Sequence, residues 1–274
     1  MPAGARRVAF GVAYDGSGFH GFAAQPGQRT VAGELVAAIR QMTGQQVACT
    51  CAGRTDAGVH ATAQVVHVDL DEAFLVGHYG SEAGSAGQEL PKLAESLSRQ
   101  LGPEIAVWRA LVAPDGFDAR RSAIARRYRY DLETAVRPDP RRRATVWHLE
   151  EPVDLAAMRL AADALLGEHD FAAFCRRPPD KPEGPIRRRV VDAACTTPGE
   201  GLLRFEIESD AFCHQMVRSI VGTLVAVGIG RLRPSDVVAL LATARRAGAP
   251  SPAPPGGLCL IGVRYPPALS GTWS

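Results

Sequence analysis

The sequence reads Cys51-Ala52-Gly53-Arg54-Thr55-Asp56-Ala57-Gly58-Val59-His60-Ala61 between two strand candidates, residues 47–51 and 64–70. Gly53 and Gly58 can adopt backbone conformations that other residues avoid, so the stretch predicts a shaped loop between two strands. Asp56, in the middle of that loop, is a candidate carboxylate nucleophile or base. In the alternative interpretation, which spacing alone favours, Asp56 caps the turn and Arg54 is its ion-pair partner.

The elements on either side of this loop follow a β-α-β-β-α-β order. Helical spacing after a Thr30 cap predicts a helix that stops at Gly44, and a run of glycines predicts a flexible connection over residues 71–89. The remaining elements of this half are strands at residues 8–14 and 104–112 and a helix at residues 90–101. This order is typical of a ferredoxin-like split βαβ unit.

The second half of the chain has similar element content. Strand candidates occupy residues 122–132, 190–197, 202–209 and 258–265, and helix candidates occupy residues 154–166, a segment from Val217 and a segment from Pro234. We therefore predict two related α+β domains with mainly antiparallel sheets, residues 1–112 and residues 113–274.

Composition is ordinary for a soluble globular protein, with 46% hydrophobic and 22% charged residues among 274. No apolar run is long enough to span a bilayer, and the first residues run into Val8-Ala9-Phe10 without the apolar core of a signal peptide. We expect a cytoplasmic protein without a membrane partner. Cys49 and Cys51 lack zinc-pair spacing, so the six cysteines predict neither a metal site nor a disulfide framework, only buried thiols.

Arginine dominates the basic residues: Lys92 and Lys181 are the only lysines among 31. Between Phe117 and Trp147 the chain has nine arginines, at positions 120, 121, 126, 127, 129, 137, 141, 142 and 143. Arginine forks match phosphate, and a strand would place Tyr128 and Tyr130 on one face, a pattern that suits an RNA backbone. A compositional bias, or a solvated arginine face opposite a tyrosine-lined core, explains the same pattern.

A helix that begins after Phe212-Cys213-His214-Gln215 places Arg218 and Gly222 on one face. An arginine beside a glycine could reach into a cleft where another backbone segment comes close. The alternative is a surface arginine, the usual location of this residue type.

Seven blocks of the sequence, in order, resemble the TruA family of tRNA pseudouridine synthases over nearly the full length. The hallmark block is Gly53–Ala61. The others are Tyr14-Asp15-Gly16-Ser17, Phe117-Asp118-Ala119-Arg120, Ala125-Arg126-Arg127-Tyr128-Arg129-Tyr130, Leu165-Leu166-Gly167-Glu168-His169-Asp170-Phe171, Phe212-Cys213-His214-Gln215-Met216-Val217-Arg218 and Gly257-Leu258.

The resemblance implies two ferredoxin-like halves joined across a central cleft, and a homodimer in which one tRNA touches both subunits. It implies isomerisation of uridine to pseudouridine in the anticodon stem-loop, at tRNA positions 38, 39 and 40, without a cofactor or metal. The order of bond events stays open: attack on uracil C6, attack on C1′, or a glycal route.

The resemblance also assigns roles to individual residues. Asp56 corresponds to the essential carboxylate, Arg218 to its ion-pair partner and Tyr128 to the tyrosine that stacks on the target base. Arg54 would contact RNA phosphate or help extrude the base, and Leu258 would pack against the uracil. The RNA-binding residues implied are Arg126, Arg127 and Arg129.

The chain departs from the family pattern at Phe22, Ala23, Ala32 and Ser98, which we assign to RNA positioning or local packing. Two other functions fit the motifs: a tRNA-binding protein that has lost catalysis, and an N-glycosylase that uses Asp56 at C1′ without rejoining the base. Intact Asp56, Tyr128 and Arg218 argue against the first of these.

Overall fold

The computed structural model of the protein describes residues 4–177, 184–199, 201–245 and 249–270. The chain divides into two compact units, Met1–Ile124 with Leu260–Ser274, and Ala125–Cys259. The boundary predicted between residues 112 and 113 lies earlier in the chain, and that division into domains stays a prediction.

The first unit has the predicted β-α-β-β-α-β order with one additional helix, Glu72–Tyr79, between its third strand and its second predicted helix. It contains β1 (Ala5–Tyr14), α1 (Val31–Thr43), β2 (Thr50–Cys51), β3 (His60–Asp71), α2 (Glu72–Tyr79), α3 (Pro91–Leu101) and β4 (Ile105–Val112). β1 lies between β3 and β4 and is antiparallel to both, and the short β2 pairs with β3. The strand predicted before the Asp56 loop is therefore much shorter than its apolar run.

The start and end of α1 follow the sequence signals. The Thr30 hydroxyl accepts a hydrogen bond from the Gly33 amide, and the Gly44 cap adopts φ 72°. This is the left-handed conformation that glycine tolerates best. The inward face of α1 is buried at helical spacing through Val31, Leu35 and Ile39, so the periodicity of the sequence and the packing of the helix agree.

The predicted flexible connection over residues 71–89 is wrong. It contains α2 and a 3₁₀ turn at Ser81–Gly84. The Asp71 carboxylate accepts a hydrogen bond from the Ala73 amide and so caps α2, and Leu75 is fully buried beneath it. One cap and one buried leucine therefore order a segment whose glycines suggested a loop.

The second unit contains β5 (Ala125–Glu133), β6 (Trp147–His148), α4 (Leu155–Asp163), β7 (Gly167–Asp170), β8 (Arg187–Gly199), β9 (Leu202–Ser209), α5 (Met216–Gly228) and α6 (Pro234–Thr243). β9 lies between β5 and β8, and β7 pairs with β8, all antiparallel, while β6 is parallel to β5. β10 (Leu258–Arg264) contains the boundary between the units, and α7 (Pro267–Ser270) follows it. The expected mixed α+β fold with mainly antiparallel pairing is confirmed.

The helix predicted over residues 154–166 ends earlier than expected. Asp154 caps its start, as the amide of Ala157 donates to the Asp154 carboxylate, but the helix stops at Asp163. Gly167, with φ 96°, begins β7 rather than ending the helix. A glycine that allows a sharp change of direction looks the same in sequence whether it ends a helix or begins a strand.

Three of the departures from the family pattern serve local packing. Phe22 and Ala32 are buried. The Ser98 hydroxyl donates to the Val107 carbonyl at 2.8 Å and accepts from the Val107 amide at 2.7 Å, which ties α3 to β4. Of the two roles considered for these positions, RNA positioning and local packing, these contacts support local packing.

The prediction of no disulfide is wrong, because Cys175 and Cys213 form one, with their Cα atoms 5.7 Å apart. Their separation of 38 residues gives no sequence signal, since only the folded second unit brings the two positions together. The other four cysteines are not disulfide-bonded, and Cys51, Cys195 and Cys259 are buried as expected. Burial raises the pKa of the Cys195 thiol to about 12.

Candidate active site

The Asp56 loop, residues 52–59, connects β2 to β3 in the first unit. Gly58 adopts φ 77°, and the Val59 amide donates to the Asp56 carbonyl at 3.2 Å to close a tight turn. Thr55 is buried, Asp56 is half-buried and Arg54 is exposed. The loop therefore presents a carboxylate at the edge of the core while its neighbouring arginine faces solvent.

Two buried polar side chains hold the loop at both sides of Arg54. The Gln64 amide donates to the Gly53 carbonyl at 2.6 Å, and its oxygen accepts from the Gly53 amide at 3.4 Å. The Gln64 amide nitrogen also donates to the Tyr14 hydroxyl at 3.4 Å. The Tyr14 hydroxyl in turn shares a 2.8 Å hydrogen bond with the Thr55 hydroxyl. Because Gln64 is fully buried, losing these bonds would leave polar groups unsatisfied.

The segment after β1 covers the same loop with backbone contacts. The Phe22 amide donates to the Thr55 carbonyl at 3.1 Å, and the Gly16 amide donates to His60 Nδ1 at 3.1 Å. Only glycine fits at position 16, since a Cβ there would lie 2.1 Å from the Val59 carbonyl oxygen. The Tyr-Asp-Gly-Ser block and the Asp56 block are therefore one structural assembly.

Tyr128 and Tyr130 lie on one buried face of β5, as the alternation predicted. The Tyr128 ring packs edge-on against Phe212 with ring centroids 5.0 Å apart. The Tyr130 hydroxyl donates to the Pro254 carbonyl at 2.8 Å, and burial raises its pKa. Tyr130 is thus a core residue, whereas Tyr128 lies beside the segment that leads into α5.

Arg218 is half-buried on α5 and is not the surface arginine of the alternative interpretation. Its Nε donates to the Ala253 carbonyl at 2.8 Å, and the Ala253 amide donates to the Arg218 carbonyl at 2.9 Å. A Cβ at Gly222, one turn later, would lie 2.2 Å from the Ser251 carbonyl oxygen. The close backbone approach expected beside this arginine is therefore present.

Leu258 is buried at the start of β10, where its amide donates to the Pro255 carbonyl at 2.9 Å. The preceding Gly257 lies against the Tyr130 ring, since a Cβ there would be 2.6 Å from the ring carbons. Leu258 therefore has a fixed position in the second unit, next to the tyrosine-bearing strand.

The other face of β5 and β9, which we call the charged strand face, carries Arg127, Arg129, Asp131, Arg204, Glu206 and Glu208. Arg127 forms ion pairs with Asp192 at 2.9 Å and Glu206 at 2.7 Å, and its pKa is raised by its hydrogen bond to Glu206. Asp131 pairs with Arg129 at 3.1 Å and with Arg204 at 2.7 Å. The arrangement matches the alternative of an arginine face opposite a tyrosine-lined core.

Arg126 points away from that face and is buried. Its guanidinium donates to the Asp210 carbonyl at 2.9 Å. Arg126, Arg127 and Arg129 thus have protein partners, and their assignment to RNA stays a prediction.

The predicted site residues fall into both units: Arg54 and Asp56 in the first, and Tyr128, Arg218, Leu258 and the three arginines of β5 in the second. Their catalytic and binding roles stay predictions. The sequence did not single out Tyr14, Thr55 or Gln64 as supports of the loop. The one signal for them was Gln64 itself, a polar residue at the start of an apolar strand candidate.

Neither a metal-binding cluster nor a membrane-spanning helix occurs in the described part of the chain. Across residues 4–177, 184–199, 201–245 and 249–270, no group of three or more His, Cys, Asp and Glu side chains could hold a metal ion. Within the same ranges, no helix has the length and apolar character needed to cross a membrane.

Comparison with known proteins gives a consistent result. A family model described as tRNA pseudouridine synthase matches residues 11–107 and 161–266. The tRNA pseudouridine synthase A of Frankia casuarinae is 41% identical over 97% of this chain and 92% of its own length. The enzymes of that name from Leifsonia xyli and Chromobacterium violaceum are each 41% identical over 96% of this chain, and over 92% and 95% of their own lengths.

Among solved structures, the archaeal box H/ACA sRNP Nop10–Cbf5 complex matches with a TM-score of 0.34 and 13% identity, over 80% of this chain and 44% of that chain. This overlap is too low to bear on the site. The family model and the full-length relatives, in contrast, cover both the Asp56 loop and the helix with Arg218. The chain therefore belongs to the tRNA pseudouridine synthase family.

Proposed function

We propose that this chain isomerises uridine to pseudouridine in the anticodon stem-loop of tRNA, at positions 38, 39 and 40, with Asp56 as nucleophile or base. Membership of the family makes the chain an isomerase that acts on tRNA. The observation that carries the role of Asp56 is its position: a half-buried carboxylate in a loop that Gln64, Tyr14 and Phe22 hold by hydrogen bonds.

The reaction requires a protein group that promotes breaking and re-forming of the bond between the base and its ribose. The bond between uracil N1 and ribose C1′ breaks, the base rotates, and C5 bonds to C1′. C5 then gives up its proton and N1 takes one up, so that the product keeps the composition of uridine. A carboxylate can drive this sequence as a nucleophile, or as a base if a glycal forms. Enzymes position such a group within narrow limits, because a small misplacement costs much of the rate, and the fixed loop meets this requirement.

The second unit supplies the supporting groups in this proposal. Arg218, half-buried and anchored to the Ala253 carbonyl, would pair with the Asp56 carboxylate and orient it. Tyr128 would stack on the target base and handle the C5 proton, and Leu258 would pack against the uracil. Arg54, exposed on the loop, would contact RNA as the base leaves its stem, a step that costs about a few kcal/mol.

The test is release of tritium from tRNA that carries 5-tritiated uridine. We expect the wild-type protein to release tritium and Asp56→Asn to lose at least about 10³-fold in rate, since the carboxylate is the reacting group. Asp115→Asn, a change of an exposed aspartate in the same unit, should keep the wild-type rate. Wild-type turnover by Asp56→Asn would overturn the mechanism.

Product analysis separates the alternatives. Binding of tRNA with every uridine unchanged would favour the non-catalytic protein, and free uracil would favour an N-glycosylase. Mapping of modified positions in tRNA from a strain that lacks this gene tests positions 38, 39 and 40.

We further propose, on the resemblance alone, that the protein acts in the cytoplasm as a homodimer that needs no cofactor. Light scattering of the purified protein tests the dimer directly. A monomer at micromolar concentration that retains full activity would contradict it.

A further inference from the structure

The arginines that the sequence concentrates ahead of β6 have two different surroundings. On β5, Arg126 donates to a backbone carbonyl, and Arg127 and Arg129 pair with carboxylates. A second group lies on the connection between β5 and β6, residues 134–146, which we call the arginine loop. Its charged residues are four arginines, at positions 137, 141, 142 and 143, and one aspartate, a net charge of +3 (four minus one). All four arginines are exposed, so the loop presents positive charge to solvent.

The arginine loop has an ordered backbone. The Arg142 amide donates to the Asp139 carbonyl at 3.0 Å, and the Arg142 carbonyl accepts from the Thr145 amide at 2.8 Å. The Asp139 carboxylate accepts from the Arg141 amide at 3.0 Å and so caps the 3₁₀ turn Pro140–Arg142. These bonds fix the backbone of the loop before any ligand arrives, which lowers the entropic cost of binding.

The rest of the second unit holds both ends of this loop. Glu133, the last residue of β5, is 4% exposed, and its two carboxylate oxygens accept from the Asp139 amide at 3.3 and 3.2 Å. At the other end, a Cβ on Gly256 would lie 2.6 Å from the Ala144 carbonyl oxygen. Gly256 is two residues before Leu258, so the loop lies against the segment that carries the residue proposed to pack on the uracil.

The arginines of the loop use their guanidinium groups differently. Arg141 donates from Nε to Asp139 Oδ1 at 3.0 Å and from Nη2 to Asp139 Oδ2 at 2.7 Å. This bonding lowers the pKa of Asp139 to about 2. Arg141 therefore helps to fix the turn, whereas Arg137 and Arg143 lie exposed on either side of it. An exposed guanidinium fork matches two oxygens of a phosphate group.

We propose that the arginine loop binds the phosphate backbone of the tRNA, with Arg137 and Arg143 as its ligands. The charge of the loop, the exposure of these two side chains and the ordered turn between them support this assignment. The inference rests on the proposed function only in taking tRNA as the substrate, and not on the role of Asp56. It adds a second group of RNA contacts to those predicted on β5.

The test is the salt dependence of tRNA binding, measured with unmodified tRNA by filter binding in the wild-type protein and in an Asp56→Asn background. Each RNA phosphate that a variant no longer neutralises reduces the slope of log K against log salt concentration by about 0.7 to 0.9. We expect this decrease for Arg137→Gln and for Arg143→Gln, and about 1.4 to 1.8 for the double variant. Replacement of both residues by lysine keeps the charge and should keep the wild-type slope.

Arg99→Gln is the matched control, because it makes the same chemical change at an exposed arginine, on α3 of the first unit. Its slope should equal that of the wild-type protein. Because Arg137 and Arg143 are exposed, the double variant should unfold in urea at the wild-type midpoint, so a change in slope reports binding and not folding. A slope of the double variant equal to that of Arg99→Gln would overturn the proposal.

Kinetics of tritium release provide a second readout. A contact made equally to bound substrate and transition state affects KM alone, so the double variant should raise KM for tRNA several-fold and leave kcat unchanged. A lower kcat with an unchanged salt slope would assign these arginines to the reaction itself and contradict the proposal. Binding does not depend on turnover, so failure of the wild-type protein to release tritium would count against the proposed function and leave the slopes decisive here.

Discussion

The Asp56 loop and the charged strand face are held in place by opposite means. The loop is fixed by backbone hydrogen bonds, by glycines at close approaches and by two buried polar side chains. The charged strand face is fixed by ion pairs between side chains that remain partly exposed. The Asp56 loop should thus be insensitive to salt but sensitive to substitutions that add volume. The charged strand face should be sensitive to salt but tolerate added volume.

Gly16→Ala should break the first arrangement most. The new Cβ would lie 2.1 Å from the Val59 carbonyl oxygen, so the backbone on the far side of Asp56 must move. A displacement of about 1 Å at a reacting group can cost about 100-fold in rate, and we expect kcat for tritium release to fall by about that factor. KM for tRNA should change less than kcat, because Arg54 is the one residue of this loop that we propose as an RNA contact.

The control for that change is Gly77→Ala in α2, where a Cβ meets no heavy atom within 4 Å. Alanine is the better helix former by about 1 kcal/mol, so this variant should keep full activity and equal or higher stability. A wild-type kcat in Gly16→Ala would show that the Asp56 loop does not need its close contact with the segment after β1.

Tyr14→Phe should have a smaller effect on the same loop. The variant removes the hydroxyl that bonds to Thr55 and accepts from Gln64, and leaves the ring in place. We expect about tenfold lower kcat and about 1 to 2 kcal/mol less stability in urea unfolding, because two buried hydrogen bonds are lost. A loss of stability with unchanged kcat would identify Tyr14 as structural only.

Local patterns predicted much of the fold because the forces behind them are local. The spacing and caps of α1, and the alternation of Tyr128 and Tyr130, follow from helix and strand periods. The α2 helix was missed because a single buried residue, Leu75, orders it. The disulfide was missed because tertiary structure alone brings residues 175 and 213 together.

The supports of the Asp56 loop depend on strand register, which a single sequence does not specify. In the β1–β3 pair, Val12 lies opposite Gln64 and Tyr14 opposite Ala61, with an irregularity between them. That register brings the Gln64 amide and the Tyr14 hydroxyl to the same loop. In the same way, the sequence showed the arginines of β5 but not the carboxylates of β8 and β9 that pair with Arg127.

Arg127→Gln tests the second arrangement. The change leaves Asp192, Glu206 and Glu208 without their shared cation, and we expect about 1 kcal/mol less stability at low salt. Because these groups are partly exposed, the loss should shrink as salt rises to about 1 M. The slope of tRNA binding against salt decides the role: an unchanged slope supports an ion-pair role, and a decrease of about 0.7 to 0.9 supports the RNA contact predicted from sequence.

Asp69→Asn removes a single ion pair and should have the smallest effect of these substitutions. The Asp69 carboxylate accepts from Arg7 Nε at 2.8 Å and Nη2 at 3.1 Å, and this bonding lowers the pKa of Asp69. A carboxyl whose pKa is lower in the folded state stabilises the protein above its unfolded pKa, about 3.9, and that contribution is lost as pH falls through the folded pKa. We expect Asp69→Asn to lower the free energy of unfolding in urea by about 0.5 kcal/mol at pH 7, because solvent weakens a half-buried ion pair. Below about pH 4 the stability of the variant should approach that of the wild-type protein. A difference that stays constant from pH 7 to the acid limit would show that Arg7 gains nothing from the charge of Asp69.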